Sequence, residues 1–164
     1  LYHRSVSLFD ILIARQALEF IGTSAAFLVV WGTLYTAGIV SGIARPDLLL
    51  IGWGMMGWLS FGVGAIVAAL TERSETAERF IQPIQYVILP ICGAFFMVDW
   101  LPSWGQHVVL FNPMVHCYEV FRAGFFGDTV TTHYDIAYFA PWALGLLFVG
   151  VIAVQRVRAW VQLS

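Results

Sequence analysis

Four long apolar stretches dominate this sequence and limit what it can fold into: residues 20–43, 48–70, 80–100 and 136–154. A helix of about 20 such residues crosses a hydrocarbon core about 30 Å thick. The 164 residues are 60% hydrophobic and 11% charged, against about 45–50% and about 25% in soluble domains. A domain this small has too little interior to hide so much apolar surface from water. The expected fold is an all-α membrane protein with about four transmembrane helices, filling most of the chain.

Arginines set the orientation. All eight basic residues are Arg. Arg4 and Arg15 precede the first stretch, Arg45 follows it, Arg73 and Arg79 follow the second, Arg122 the third, and Arg156 and Arg158 the fourth. Short cytoplasmic loops carry Lys and Arg in excess, so both termini are expected inside, with six arginines cytoplasmic and two external. Aromatic residues agree: Trp100, Trp104, Tyr138 and Trp142 fall at outer ends and Trp160 at an inner one, where amphipathic rings sit at headgroup level.

Several function classes drop out. A net charge of −2 without a clustered basic face gives nucleic acid nothing to bind. Cys92 and Cys117 match neither metal spacing nor a disulfide framework, and His3, His107, His116 and His133 are scattered, so no metal site is expected. No Gly-rich phosphate loop exists, so the chain is not expected to bind ATP or any other cofactor. An intramembrane enzyme built on His116 and Glu119 would need them near the membrane midplane beside a metal or nucleophile, but they fall in an external segment. The chain begins with Leu1 and is expected to be a piece of a longer protein.

Rows of small residues (Gly22 with Ala26, Gly38 with Gly42, and Ser60, Gly64, Ala68) fit either a close packing seam or ordinary membrane-helix composition. Ser7 and Asp10 form a capping pair before LFDILIARQALEF, in which Arg15 and Glu19 are four apart. This predicts a helix before the first span, either docking a cytoplasmic partner or lying among headgroups. Between the second and third stretches, TERSETAER, with Glu72, Glu75 and Glu78 at every third place, is expected to be a solvated loop or one or two solvated helical turns. Pro83 and Pro90 interrupt the third stretch, where Gln82 and Gln85 share a face and either line a pathway or bond another helix.

The segment 101–127 is external yet too apolar for a solvated loop. Asn112 suits a cap and Pro113 the first helical position. His116, Glu119 and Arg122 then follow at helical spacing, opposite Met114, Cys117, Phe121 and Phe125, and Gly127 suits a helix end. Two short helices broken at Asn112-Pro113 are expected, as a re-entrant hairpin forming an outer gate or as a hairpin lying flat at the interface.

LPICGAFFMVDWLP followed by FNPMVHCYEVFRAGFFGD resembles the carboxyl-terminal signature of ABC-2 type permeases that export capsular polysaccharide in Gram-negative bacteria. SLFDILIARQALEF, TERSETAERF and QRVRAW also fit that family, so the resemblance covers nearly the whole of 1–164. It implies a partial ABC-2 transmembrane domain lacking an amino-terminal helix and two spans, in the bacterial inner membrane. It implies transport of a lipid-linked polysaccharide from cytoplasm to periplasm, or, as an alternative, of O-antigen, teichoic acid or another amphipathic substrate. The chain would be a transport subunit and not an enzyme. It would form a homodimer at full length, with ATP bound and hydrolysed by a separate cytoplasmic ATPase subunit, and periplasmic and outer-membrane export proteins would continue the path. The resemblance further implies a coupling helix at 5–16 carrying Phe9, Asp10, Ile13 and Arg15, and a re-entrant gate at 101–127 carrying Asn112, Pro113, His116, Glu119 and Arg122. Gln82, Gln85, Phe95, Phe96 and Trp100 are candidates for lining the pathway.

Overall fold

The computed structural model describes the backbone of residues 8–161 and the side chains of residues 9–157 apart from Glu75. Six helices follow in order: α1 (Leu8–Thr36), α2 (Pro46–Arg73), α3 (Glu75–Ile88), α4 (Ser103–Val109), α5 (Pro113–Phe126) and α6 (Ile136–Val161). Single 3-10 turns lie at Val98–Trp100 and Gly127–Thr129. No strand occurs among the described residues. The protein is an all-α membrane protein, and α1, α2 and α6 are each long and apolar enough to cross a bilayer.

The first predicted boundary is absent. The helix expected at 5–16 and the span expected from 20 are one unbroken helix, α1. No proline interrupts it, and Thr23, Ser24, Thr33 and Thr36 bond back to carbonyls three or four residues earlier, so their hydroxyls do not compete for other structure. The Ser7 cap lies outside the described residues. Pro46 opens α2, and Ser74 joins α2 to α3. Its N–H donates to Leu70 O and Thr71 O, and its Oγ accepts from Ala77 N at 3.4 Å. The expected solvated turns of 71–79 are thus the end of one helix and the start of the next.

The third apolar stretch is not one continuous helix. Helix α3 stops at Ile88 after 14 residues, about 21 Å at 1.5 Å each. Pro83 sits within α3. Pro90 then supplies no N–H, and Gly93 takes φ +89°, a left-handed conformation that side chains disfavour. The chain continues as turns and bends to the 3-10 turn at Val98.

The core is made by α2, α5 and α6. Leu48, Met55 and Leu59 of α2 meet Cys117, Val120 and Ala123 of α5 and Phe139 and Ala143 of α6. A second cluster joins Ala65 and Ala69 to Val154 and Val157, with Phe9 and Leu12 of α1 against it. Glycines make these approaches possible, but not the ones in the expected rows. A Cβ on Gly52 would lie 2.6 Å from Phe121 N, one on Gly124 would collide with Leu49, and one on Gly150 would lie 2.8 Å from Gly62 O. Gly22 has open space beside it, and Ser60, Gly64 and Ala68 line a cavity.

These contacts fix direction. Gly52 meets Phe121 and Leu49 meets Gly124, so α5 runs antiparallel to α2. Arg45 N donates to Gly124 O at 2.8 Å, placing Arg45 and the end of α5 at one end of the molecule. Phe9, Ala69 and Val157 cluster at the other, the end to which the α2–α3 junction also belongs. The described arginines divide between these ends as the charge rule expects.

Candidate functional site

The segment 101–127 folds as two helices broken at Leu110 to Asn112. Asn112 caps α5: its Oδ1 accepts from Met114 N at 3.0 Å, with Pro113 at the first helical position. Gly127 ends α5 at φ +60°. From the contacts at Gly52 and Leu49, the start of α5 lies roughly 20 Å along α2 from its Pro46 end. Met114 and Tyr118 accordingly share a cavity wall with Met56 and Ser60.

The polar face of α5 turns into the protein, not toward water. Glu119 is fully buried and His116 is 4% exposed. Glu119 Oε1 accepts from Arg122 Nη1 at 3.0 Å and from Val98 N at 3.4 Å, and Oε2 accepts from His133 N at 2.9 Å. Arg122 Nη2 donates to the carbonyls of Gly93 and Ala94, and its guanidinium lies 5.9 Å from the centre of the Tyr118 ring. Glu119 and Arg122, three apart on α5, thus form an ion pair, and the pair has a second role. The broken backbone after Pro90 leaves carbonyls and N–H groups that hydrocarbon cannot satisfy, and Glu119 and Arg122 satisfy them.

His116 bonds elsewhere. Its Nε2 lies 2.9 Å from Leu110 O, and its Nδ1 accepts from Asp135 N at 3.0 Å. A carbonyl only accepts and an N–H only donates, so Nε2 carries the proton and Nδ1 the lone pair. His116 and Glu119 are each held by backbone from other segments, an arrangement unlike an acid–base pair. Both faces of α5 are buried where Cys117 lies, and its thiol is sealed from its surroundings.

Sequence reasoning missed Asp99, Thr131, His133 and Asp135. Asp99 Oδ2 accepts from Thr131 Oγ1 at 3.1 Å, and Asp99 Oδ1 lies 3.5 Å from His133 Nε2. Asp135 Oδ1 accepts from Tyr138 N at 3.0 Å and so caps α6. The only available signal was an acidic residue just before the fourth apolar stretch.

The other candidate residues are dispersed. Phe9 is packed inward, edge-on to Phe61 at 6.1 Å, whereas Asp10, Ile13 and Arg15 are exposed on α1. Gln85 lines a cavity of about 770 Å³ between α1, α2, α3 and α5, with Arg15, Glu19, Ser60 and Glu78 among its other polar residues. Gln82, Phe95 and Trp100 are exposed, and Phe96 is half-buried near the bend. The structure does not gather these five into one wall. Among the described residues no His, Cys, Asp and Glu cluster could hold a metal.

Comparison with known proteins gives this geometry a context. Over 156 residues, 95% of this chain and 59% of the relative, the sequence is 35% identical to the capsule polysaccharide export inner-membrane protein BexB of Haemophilus influenzae. It is 36% identical to the capsule polysaccharide export inner-membrane protein CtrC of Neisseria meningitidis serogroup A, over 99% of this chain and 61% of that one. It is 24% identical to the polysialic acid transport protein KpsM of Escherichia coli, over 99% of this chain and 62% of that one. The chain thus spans about 60% of the length of these relatives. The profile of the ABC-2 type transporter family matches residues 1–126, three-quarters of the sequence, and the chain belongs to that family of membrane transport proteins.

Proposed function

We propose that this chain is part of an inner-membrane permease that exports capsular polysaccharide from cytoplasm to periplasm. The observation that carries this reading is the reach of the similarity: it extends past the family profile's limit at residue 126 through the 127–135 loop and α6, to proteins named for capsule export. In this reading the chain carries no cofactor of its own. A separate ATPase subunit binds and hydrolyses ATP and meets the inner end of α1 around Asp10, Ile13 and Arg15. The full-length permease pairs with a second copy, and periplasmic and outer-membrane export proteins receive the polymer. The hairpin α4–α5 dips into the membrane from outside and acts as the outer gate. The inward depth of Pro113 and the burial of Glu119 support the re-entrant reading over a flat-lying one.

A chimaera tests the whole. Residues 1–164 replace the matching part of the Haemophilus influenzae protein in a strain lacking it, and surface capsule is measured by immunoblot. Capsule on the surface is the expected result. A chimaera that reaches the membrane at normal abundance, retains its ATPase and leaves the polymer inside the cell would overturn the reading.

A further inference from the structure

We propose that α4 is the moving limb of the hairpin, that α5 is its fixed limb, and that His116 and Tyr138 position α4 in the closed state. The inference rests on the reading of the hairpin as the outer gate and assigns its parts.

The two limbs are held very differently. Val115, Glu119 and Val120 of α5 are fully buried. Gly52 and Gly124 bring the α2 and α5 backbones into direct contact, and Ala44 N and Arg45 N donate to Phe125 O and Gly124 O at 3.3 and 2.8 Å. Moving α5 would open the core. Helix α4 has seven residues, of which only Gly105 is buried. Trp104, Val108 and Phe111 on and beside it are 72%, 61% and 73% exposed.

What holds α4 is polar and concentrated at one end. The last carbonyls of a helix have no partner within it. Here the two that follow Val109 are taken from outside: His116 Nε2–H donates to Leu110 O at 2.9 Å, and Tyr138 O–H donates to Phe111 O at 3.0 Å. The two rings lie 5.1 Å apart. Asp135 orients both, since its N–H donates to His116 Nδ1 and its carboxylate accepts from Tyr138 N. The fixed limb and the start of α6 thus present two donors to the tip of α4. A weaker tie, Asn112 Nδ2 to Ile91 O at 3.4 Å, lies at the break itself. Such neutral hydrogen bonds can be exchanged for water with little net loss, whereas parting α5 from α2 would also break the buried packing of Leu48, Met55 and Leu59 on Cys117, Val120 and Ala123, which water cannot replace. Extended backbone at Leu101 and Pro102 and the turn at Leu110 to Asn112 provide the two ends about which α4 can rotate.

The test uses the assembled transporter carrying residues 1–164, with spin labels on one protomer. One pair reports on α4 (Val108 with Leu144 of α6) and one on α5 (Phe126 with Leu144). During ATP hydrolysis the first pair should gain a longer distance and the second should not change. If both pairs shift together, the hairpin swings as one body and the inference falls while the gate survives. If neither shifts while polymer is exported, both readings fall. At rest, His116→Ala should broaden the Val108–Leu144 distances, and His116→Gln, which keeps a donor for Leu110 O, should leave them narrow. Tyr138→Phe removes a single hydroxyl, leaves the core intact and should broaden them partly. Narrow distances in both His116→Ala and Tyr138→Phe would remove these residues from the role.

Discussion

Arg122 Nη1 lies 3.0 Å from Glu119 Oε1 in a pair whose carboxylate is fully buried, and each partner also bonds the irregular backbone between Gly93 and Val98. Stranding a buried charge destabilises by about 3–5 kcal/mol. Arg122→Ala strands Glu119 and also leaves the Gly93 and Ala94 carbonyls without a donor. Glu119→Gln leaves a cation that still has two carbonyls and a ring, and should cost about 1–3 kcal/mol. The double variant removes the stranded charge but not the orphaned carbonyls, so its thermal stability in detergent should fall between the two. A double variant no more stable than Arg122→Ala would show that backbone satisfaction, not charge balance, governs this site.

The membrane class and the two-helix form of 101–127 were legible because they rest on apolar run length and on punctuation at Asn112, Pro113 and Gly127. Three features were not. Periodicity cannot say whether the polar face of α5 meets water or a partner, since Glu119 and Arg122 read alike in either case. The partner of that face is backbone at Gly93, Ala94, Val98 and His133, and backbone bonding leaves no residue signature. Small-residue spacing could not separate Gly52 and Gly124, which meet other helices, from Gly22, beside which a side chain would find open space, because the signal is the same in both.

That last distinction is measurable. A Cβ at Gly52 or Gly124 would meet backbone atoms, which cannot rotate away, so Gly52→Ala and Gly124→Ala should each lower stability by about 3 kcal/mol or more. Gly22→Ala has room and removes a flexible residue from a helix, so it should be neutral or stabilising by up to about 1 kcal/mol. Equal melting temperatures across the three variants would contradict the α2–α5 seam.

Labelling tests the orientation without a cysteine-free background. Cys92 and Cys117 are 3% and 1% exposed, so neither thiol is open to a reagent. The unmodified chain should therefore take up almost no maleimide in intact cells. Asp128→Cys, exposed on the hairpin side, should react with an impermeant maleimide, and Thr76→Cys, exposed beside the α2–α3 junction, should react only after the membrane is opened. The reverse pattern would invert the topology.

The inner end of α1 carries the final prediction, because two residues that look equivalent in sequence are placed differently. Phe9 and Ile13 are four apart and read as one apolar face. In the structure Phe9 lies edge-on to Phe61 within the cluster of Ala65, Ala69, Val154 and Val157, while Ile13 is 45% exposed. A glutamate at position 9 would enter an apolar cluster with no partner, so Phe9→Glu should lower the abundance of the permease itself. A glutamate at position 13, one turn from the charged Asp10, stays outside that cluster, so Ile13→Glu should leave abundance and melting temperature near wild type. If this end of α1 docks the ATPase subunit, an apolar anchor at the interface is lost, and co-purified ATPase should fall about tenfold, the equivalent of about 1.4 kcal/mol. Pull-down of the ATPase with the chimaeric permease, normalised to permease recovered, reads both effects. An Ile13→Glu permease that retains its ATPase at the wild-type ratio would place the docking surface elsewhere, leaving Phe9 as a packing residue and the exposed flank of α1 to lipid.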